Sequence, residues 1–244
     1  MKIESHIKDF SIKYLIGIDE AGRGPLAGPV SVGAFAVKFD AFEFYLNDRI
    51  KFIAAKQHAL KQFRGVKDSK QLTEKQREEW FVKIKLHSKI SDKDIITNLP
   101  EVFWVVSFSS AKTIDLRGLS YAIRSALGRS LKKLENKIGR GSDRTSRSSL
   151  PKNSVVLLDG SLYAPSRYIN QKTIIDGDAK EPIIALASIC AKVLRDRKLK
   201  RIAKDFPNYG FEIHKGYGTK AHYKAIKKHG ISKIHRKSFL KSLK

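Results

Sequence analysis

The sequence has a single cysteine and no long apolar segment. With only Cys190, the chain cannot form an internal disulfide framework or a cysteine-rich zinc cluster. Cys190 lies in an apolar helical pattern, which is typical of a small buried core residue. No apolar run approaches the length needed to cross a bilayer, and the first residues lack the apolar centre of a signal peptide. We therefore expect a cytoplasmic protein without a membrane partner.

Acidic residues are scarce compared with basic ones. The 244 residues include 49 Lys and Arg against 24 Asp and Glu, which gives a formal net charge of +25. Such a surplus favours a polyanionic partner, with nucleic acid as the first candidate and an anionic membrane surface as the second. Hydrophobic residues make up 41% of the chain, which is typical of one large folded domain or two small ones.

Two of the few acids stand side by side in the stretch that organises the chain, YLIGIDEAGRGPLAGPV at 14–30. Its apolar beginning predicts a buried strand, which ends on Asp19 and Glu20 before a glycine-rich loop. Two carboxylates at the end of a buried strand are costly unless a cation or hydrogen bonds compensate their charge. The pair therefore indicates a metal site, although a strand that ends in a solvated polar turn has the same pattern.

Two further acids extend this pattern. The apolar segment SVVLL at 154–158 ends on Asp159, and Asp178 comes just before a predicted helix. With Asp19 and Glu20 they give four carboxylates from three places in the chain. Hard divalent cations such as Mg²⁺ take oxygen ligands, and a pair of them can clamp the attacking and leaving oxygens of a phosphodiester. The basic surroundings would attract a polyanion while the acids hold the cations.

The rest of the chain predicts a mixture of strands and helices. Residues 31–39 should be the hairpin partner of the first strand, and 102–108 a central strand of the sheet. Apolar spacing predicts one long amphipathic helix over 113–134, and Thr73 with Gln76 predicts a capping box at the start of another helix. Two features without an assigned role are also expected, a surface excursion at 40–63 and a flexible basic loop at 136–153.

Six segments carry a joint family signal: YLIGIDEAGRGPLAGPV, VKDSKQLTEKQRE, VVLLDG, GDAKEPIIALASICAKVLRDR, YGFEIHKGYGT and HRKSF. In this order and spacing they resemble bacterial ribonuclease HII, over residues 14–240. The resemblance implies an α/β fold, a ribonuclease H-like mixed β-sheet flanked by helices, with a small helical C-terminal extension. It implies a catalytic domain at 1–205 and a substrate-binding extension at 206–244 packed on it.

The same resemblance implies an enzymatic activity. Members of this family are metal-dependent endonucleases that hydrolyse the RNA strand of RNA–DNA hybrids. They also nick duplex DNA 5′ to an embedded ribonucleotide, leaving 3′-hydroxyl and 5′-phosphate ends, with two Mn²⁺ or Mg²⁺ ions as cofactors. The implied partners are therefore RNA–DNA hybrids and ribonucleotide-containing DNA, in replication and ribonucleotide excision repair. We expect a monomer without an obligate protein partner. No clamp-binding peptide is evident at the C-terminus, so the sequence does not support a replication-clamp partner.

Catalytic acids are assigned by the family motifs. Those expected to bind the metal ions and to take part in catalysis are Asp19, Glu20, Asp159 and Asp178. Asp196 lies in the same matching segment as Asp178, but its place well down a helix favours a surface salt bridge. Asp68 precedes a helix, where a capping or solvated acid is commoner than a fifth metal ligand.

Substrate-binding residues are carried over in the same way. The backbone of Gly22, Arg23 and Gly24 would approach the ribose 2′-hydroxyl, which distinguishes RNA from DNA, and glycine leaves room for that approach. Tyr217 would stack on the neighbouring sugar, although an ordinary half-buried tyrosine fits the same pattern. The basic residues assigned to the substrate are Lys70 and Lys215. Structural or phosphate-contacting roles, rather than general-base catalysis, are expected for His214, His222 and His235.

Two other functions fit parts of the pattern. A different two-metal nuclease or integrase-like phosphotransferase on the same fold would cut DNA that lacks any 2′-hydroxyl. A non-catalytic nucleic-acid-binding protein would rely on the +25 charge alone, and Asp19→Asn would leave its binding intact or improved. The four acids in their motifs favour an enzyme over such a binding protein.

Overall fold

One mixed β-sheet organises the molecule. A computed structural model describes residues 12–39, 49–88, 101–141 and 150–240. The strands in these residues are β1 (Tyr14–Ala21), β2 (Val30–Lys38), β3 (Val102–Ser109), β4 (Ser154–Asp159) and β5 (Gln171–Ile174). Their order in the sheet is β3-β2-β1-β4-β5. β2 is antiparallel to β1 and β3, whereas β4 is parallel to β1 and β5.

Helices cover both faces of this sheet. The α-helices in the described residues are α1 (Arg49–Ala59), α2 (Glu74–His87), α3 (Ala111–Arg117), α4 (Leu119–Gly141), α5 (Gly177–Lys180), α6 (Pro182–Ala203), α7 (Phe211–His214) and α8 (Lys220–His229). Neighbouring strand residues point to opposite faces, so β1 and β2 contribute to two cores. Leu15 and Phe35 pack with α6 in one core, and Ile16 and Val32 pack with α4 in the other. The predicted α/β class with a helix-flanked mixed sheet is confirmed.

Several local predictions are confirmed. β2 is the hairpin partner of β1. Thr73 caps α2 by accepting a hydrogen bond from the Gln76 amide, and the Gln76 side chain accepts one from the Thr73 amide at 2.9 Å. A first-turn proline, Pro182, begins α6, and Cys190, which lies within the same helix, is buried. The capping box and the first-turn proline act through neighbouring residues of the chain, so they could be predicted without knowledge of the tertiary structure.

The predicted central position of the 102–108 strand is wrong, because β3 lies at the edge of the sheet and pairs with β2 alone among the described strands. Residues 103–106 of this strand are only partly buried. Aromatic and β-branched residues suit any half-covered pleated surface, so composition does not distinguish an edge strand from a central one.

The single helix predicted over 113–134 is also wrong, since the chain breaks into α3 and α4 at Gly118, which has a φ of 82°. α4 then continues to Gly141, so the first part of the loop predicted at 136–153 is helical. Its buried Ile138 extends the apolar stripe by one more turn. Residues 142–149 of that predicted loop lie outside the described residues.

The excursion predicted at 40–63 belongs partly to the core. Residues 40–48 lie outside the described residues, whereas α1 and a 3₁₀ turn at Lys61–Phe63 are described. Ala55, Ala59 and Phe63 are buried, and the Phe63 ring meets the Phe35 ring edge-on at 5.5 Å between centroids. This segment therefore covers one face of the sheet and is not merely a surface feature.

The described part of the C-terminal segment, 206–240, packs against the end of α6. Its Tyr209 and Phe211 form a small apolar cluster with Leu199 and Ala203 of α6 and with Ala27. The boundary between 205 and 206 stays a prediction. No helix in the described ranges is both long enough and apolar enough to cross a membrane.

Candidate active site

Three acids meet because of how the strands pair. β1 and β4 are parallel neighbours, so their carboxyl-terminal parts, which carry Asp19 and Asp159, lie side by side. β5 lies beside β4, and a left-handed Asp176, with φ 54°, turns the chain from β5 into α5. That turn brings Asp178 to the same end of these strands. A carboxylate oxygen of Asp19, one of Asp159 and one of Asp178 all lie within 4.8 Å of one another.

These carboxylates are held in place by their surroundings. Asp19 and Asp178 are each 3% exposed, and Asp159 is half-buried. The Gly177 amide donates a hydrogen bond to Asp159 Oδ1 at 2.7 Å, which ties the end of β4 to the start of α5. The structure thus brings together three of the four acids that the sequence predicts as metal ligands.

Glu20, the fourth predicted acid, lines the same cleft but does not belong to that close cluster. Arg23 Nη1 donates to Glu20 Oε1 at 2.9 Å. The other oxygen, Oε2, is buried and accepts no hydrogen bond from the described residues. A buried carboxylate oxygen without a partner is costly, so Glu20 has a free ligand atom for a cation.

Burial and like charge raise the pKa values of the acids in β1. The pKa of Asp19 lies well above its usual range, because of burial first and the neighbouring Glu20 charge second, while a hydrogen bond from Ser188 opposes the shift. Burial likewise raises the pKa of Glu20, and Arg23 opposes it. A bound divalent cation would stabilise both ionised forms. Donors that are all oxygens suit Mg²⁺ or Mn²⁺, so the residues present fit such an ion.

Asp19, Glu20 and Asp159 line an open cleft of about 430 Å³, and Asp178 lies beside it. Its wall includes the loop residues Gly22, Arg23 and Gly24 after β1, together with Lys70 and Tyr217. The cleft therefore gathers five of the six residues predicted to bind substrate next to the predicted metal ligands.

Lys70 is the basic residue in direct contact with the acid cluster. Its ammonium Nζ donates to Asp178 Oδ2 at 2.8 Å, and this hydrogen bond raises the pKa of Lys70. The side chain is otherwise largely exposed, at 73%. Asp68 lies in the turn before α2 and accepts a hydrogen bond from the Lys70 amide, as expected for an acid at a helix entry.

Tyr217 is presented by a tight turn. Lys215 and Gly216 both have left-handed φ values, 52° and 83°, and a Cβ on Gly216 would lie 2.4 Å from the Ala27 carbonyl oxygen. The turn therefore needs glycine where it touches the loop after β1. The Tyr217 side chain is 41% exposed in the cleft, with Lys192 Nζ 5.6 Å from its ring centroid.

Lys215 is not among the residues that line the cleft. It is 7% exposed, and its ammonium Nζ donates to the Glu212 carbonyl at 2.5 Å and lies 3.5 Å from Glu74 Oε2. Its predicted contact with the substrate would require this side chain to leave those partners.

The salt bridge predicted for Asp196 is present, with Lys192, but its predicted surface position is wrong, because Asp196 is only 5% exposed. It accepts a hydrogen bond from Lys192 at 3.0 Å. Sequence reasoning missed Lys192, which lines the cleft, and Ser188, which lines it one turn earlier. The signal was a pair of polar residues at spacing four, 188 and 192, in the otherwise apolar first part of the helix, 182–194.

A chain of hydrogen bonds between neutral histidines fixes the turn that carries Tyr217. The Ser232 amide donates to His235 Nδ1 at 3.0 Å, so His235 carries its proton on Nε2 and donates it to His222 Nε2 at 3.0 Å. His222 Nδ1 in turn donates to the Tyr217 carbonyl at 2.8 Å. Beside them, His214 stacks on His222 with ring centroids 4.3 Å apart. These contacts agree with the structural role predicted for the three histidines.

This arrangement predicts that acid destabilises the fold. Burial first, and then the neighbouring His222, lower the pKa of His235 to about 4. In the unfolded chain this histidine has a pKa near 6.5, so between about pH 6.5 and about pH 4 the unfolded state binds more protons than the folded state. Stability is therefore lost as the pH falls through this range. We expect His235 to account for about 3 kcal/mol of this loss in the free energy of unfolding. Urea unfolding between pH 7 and pH 4 measures it.

The control for this measurement is His235→Gln, which lacks the titrating group while carboxylates titrate as before. Its stability should fall less steeply with decreasing pH than that of the wild type. Equal slopes for the two proteins would contradict the prediction.

Comparison with known proteins identifies the family. The model of the family "Ribonuclease HII" matches residues 16–242. The chain is 37% identical over 239 residues to the ribonuclease HII of Fusobacterium nucleatum, covering 98% of this chain and 91% of that protein. The chain belongs to the ribonuclease HII family. As a member of the ribonuclease HII family it is a metal-dependent endonuclease with ribonuclease H activity.

Solved structures agree on the fold. The ribonuclease HII of Archaeoglobus fulgidus, solved in a complex with PCNA, has a TM-score of 0.56 at 22% identity, covering 91% of this chain and 93% of that one. A Bst ribonuclease HIII, solved with Mn²⁺, has a TM-score of 0.52 at 17% identity, covering 94% of this chain and 65% of that one. At these identities the likeness concerns the ribonuclease HII fold alone.

Proposed function

We propose that this protein nicks duplex DNA on the 5′ side of an embedded ribonucleotide and cuts the RNA strand of RNA–DNA hybrids, leaving 3′-hydroxyl and 5′-phosphate ends. One observation carries the proposal. The oxygens of Asp19, Asp159 and Asp178 that lie within 4.8 Å of one another belong to acids beside a cleft lined by Gly22–Gly24 and Tyr217. Chemistry on a phosphodiester and recognition of a ribose can therefore take place at one location.

The metal ions would be held by four carboxylates, Asp19, Glu20, Asp159 and Asp178. Two Mn²⁺ or Mg²⁺ ions bound there would supply an activated water nucleophile and stabilise the leaving 3′-oxygen. Two of these acids have a basic partner, since Glu20 pairs with Arg23 at 2.9 Å and Asp178 with Lys70 at 2.8 Å. Within the described residues Asp19 and Asp159 form no ion pair, so their charge is left for a metal ion to compensate.

The neighbouring residues would hold the substrate. Lys70 and Lys192 line the cleft beside the acids and carry positive charge suited to a backbone phosphate. Arg23 and the glycines on either side would meet the ribose through main-chain atoms. Tyr217, half-exposed on the cleft wall, would stack on the adjacent sugar. Lys215 stays a predicted substrate-binding residue.

The wider surface would supply the remaining affinity. A net charge of +25 favours binding to any nucleic acid, whatever its sequence. We propose that ribonucleotide-containing DNA met in replication and ribonucleotide excision repair is the substrate, and that the protein acts as a monomer.

The test is cleavage of a labelled DNA duplex that contains one ribonucleotide, with Mn²⁺ or Mg²⁺, and with excess EDTA. An all-DNA duplex of the same sequence is the matched control. We expect a nick on the 5′ side of the ribonucleotide that requires metal and is absent from the control. EDTA should abolish the nick, because carboxylates without a metal ion cannot stabilise the negative charge that develops on the leaving oxygen.

Other outcomes would select the alternatives. Cleavage of the all-DNA duplex at a similar rate would favour a DNA nuclease on the same fold. Tight binding with no cleavage under either metal would overturn the proposed function.

A further inference from the structure

Arg236 is a fully buried cation that holds the loop following β1. Its side chain is 0% exposed, and all three guanidinium nitrogens donate to main-chain carbonyls of that loop. Nε donates to Gly28 at 3.0 Å, Nη1 to Arg23 at 2.8 Å and Nη2 to Gly22 at 2.6 Å. Burial and the nearby Arg195 lower the pKa of Arg236 to about 9, so it stays a cation at neutral pH.

A second buried arginine completes the hold on this loop. Arg195 Nε donates to the Pro29 carbonyl at 2.9 Å, and Nη2 lies 3.4 Å from the Ala27 carbonyl. The same Nη2 donates to the Lys215 carbonyl at 3.1 Å, in the turn before Tyr217. The carbonyls at the two ends of the loop therefore point into the protein, towards two cations.

Inward carbonyls fix the direction of the neighbouring amides. In a trans peptide the N–H of the next residue points opposite to the carbonyl. Since the Gly22 and Arg23 carbonyls face the buried Arg236, the amides of Arg23 and Gly24 face the other side of the loop, where these residues line the cleft. Neither amide donates a hydrogen bond within the part of the chain that the structure describes.

We propose that Arg236 is a positioning residue for ribonucleotide recognition, which aims the Arg23 and Gly24 amides at the ribose 2′-hydroxyl by holding the carbonyls of Gly22 and Arg23. This inference rests on the proposed function and adds to it the residue that sets its specificity. Three carbonyl oxygens converge on the planar guanidinium fork, and no other side chain offers three donors in that geometry.

The experiment measures binding without catalysis. Dissociation constants are determined in EDTA for a duplex with one ribonucleotide and for the same all-DNA duplex. The wild type should favour the ribonucleotide duplex by about tenfold, the factor expected from one or two neutral hydrogen bonds. Arg236→Met should bring this ratio close to one. Its affinity for the all-DNA duplex should change by less than about threefold, because phosphate contacts across the basic surface remain.

Two further variants separate positioning from general stability. Arg236→Lys keeps the charge but not the fork, so its ratio should fall between those of the wild type and Arg236→Met, and it carries the test if Arg236→Met does not fold. Glu135→Gln alters a buried acid on α4 that pairs with Arg167 and Tyr168, outside the cleft. It should keep the wild-type ratio even where circular dichroism shows a lower melting temperature.

The outcomes are distinct. Three outcomes would overturn the inference. The first is a wild-type ratio of one, and the second is a ratio unchanged in Arg236→Lys and in any folded Arg236→Met. The third is a parallel loss of affinity for both duplexes. Wild-type nicking of the ribonucleotide duplex with metal tests the proposed function separately, so the two can fail independently.

Discussion

Asp159→Asn is expected to lower the rate of metal-dependent nicking by about three orders of magnitude or more, equivalent to about 4 kcal/mol in the activation barrier. Asp159 Oδ1 accepts a hydrogen bond from the Gly177 amide at 2.7 Å. Asparagine keeps an oxygen that can accept this hydrogen bond, so the local fold should survive. The change then removes one negative charge from the acid cluster and little else. Single-turnover cleavage of the ribonucleotide duplex measures the effect.

The matched control is Asp205→Asn, which makes the same chemical change at an exposed residue outside the cleft. It should cleave at close to the wild-type rate. Binding of Asp159→Asn to the duplex in EDTA should be unchanged or tighter, because one charge that repels phosphate is gone. A rate for Asp159→Asn within about tenfold of the wild type would remove Asp159 from the catalytic acids.

Gly17→Ala should have the largest effect on stability. A Cβ at this position in β1 would lie 2.2 Å from the Ile183 carbonyl oxygen and 2.8 Å from the Ile184 amide nitrogen. These are backbone atoms in the first turn of α6, so the helix itself has to move. We expect the free energy of unfolding to fall by about 3 kcal/mol, measured by urea denaturation. The shift should also slow nicking, because Asp19 and Asp178 lie on the two sides of that contact.

The same substitution at Gly128 should stabilise the protein instead of destabilising it. Gly128 lies within α4, and a Cβ there would meet no atom within 4 Å. Alanine should raise the free energy of unfolding by about 0.5–1 kcal/mol, because glycine costs more conformational entropy in a helix. If Gly17→Ala proved as stable as Gly128→Ala, β1 and α6 could not be packed as closely as described.

The acids could be predicted from the sequence because their position follows from local signals. An apolar run that ends on an acid indicates a strand end, and this holds for Asp159, where β4 ends, whereas β1 continues two residues past Asp19 to Ala21. That the two strands are parallel neighbours follows from the order of the whole sheet, which no local pattern contains. The family resemblance provided that information, and the pairing explains it physically.

Predictions failed where burial depends on distant segments. Asp196 looked like a surface residue because helical spacing gives no account of what covers the helix, and β3 looked central because composition does not count its neighbours. Lys215 stays a predicted substrate-binding residue, but no sequence pattern indicates that Glu74, 141 residues away, lies 3.5 Å from its Nζ. The contacts of Arg236 with Gly22 and Gly28 likewise depend on tertiary structure alone.

The loop after β1 has a consequence for synthesis of the protein. The residues that Arg236 holds precede it by 208 to 214 positions. A ribosome therefore makes β1, its acids and the whole sheet before the arginine that orients the loop has emerged. A nascent chain can already bind nucleic acid through its basic surface, but we expect it to remain indifferent to sugar identity until this late contact forms. Selectivity is thus the last property that the growing polypeptide acquires.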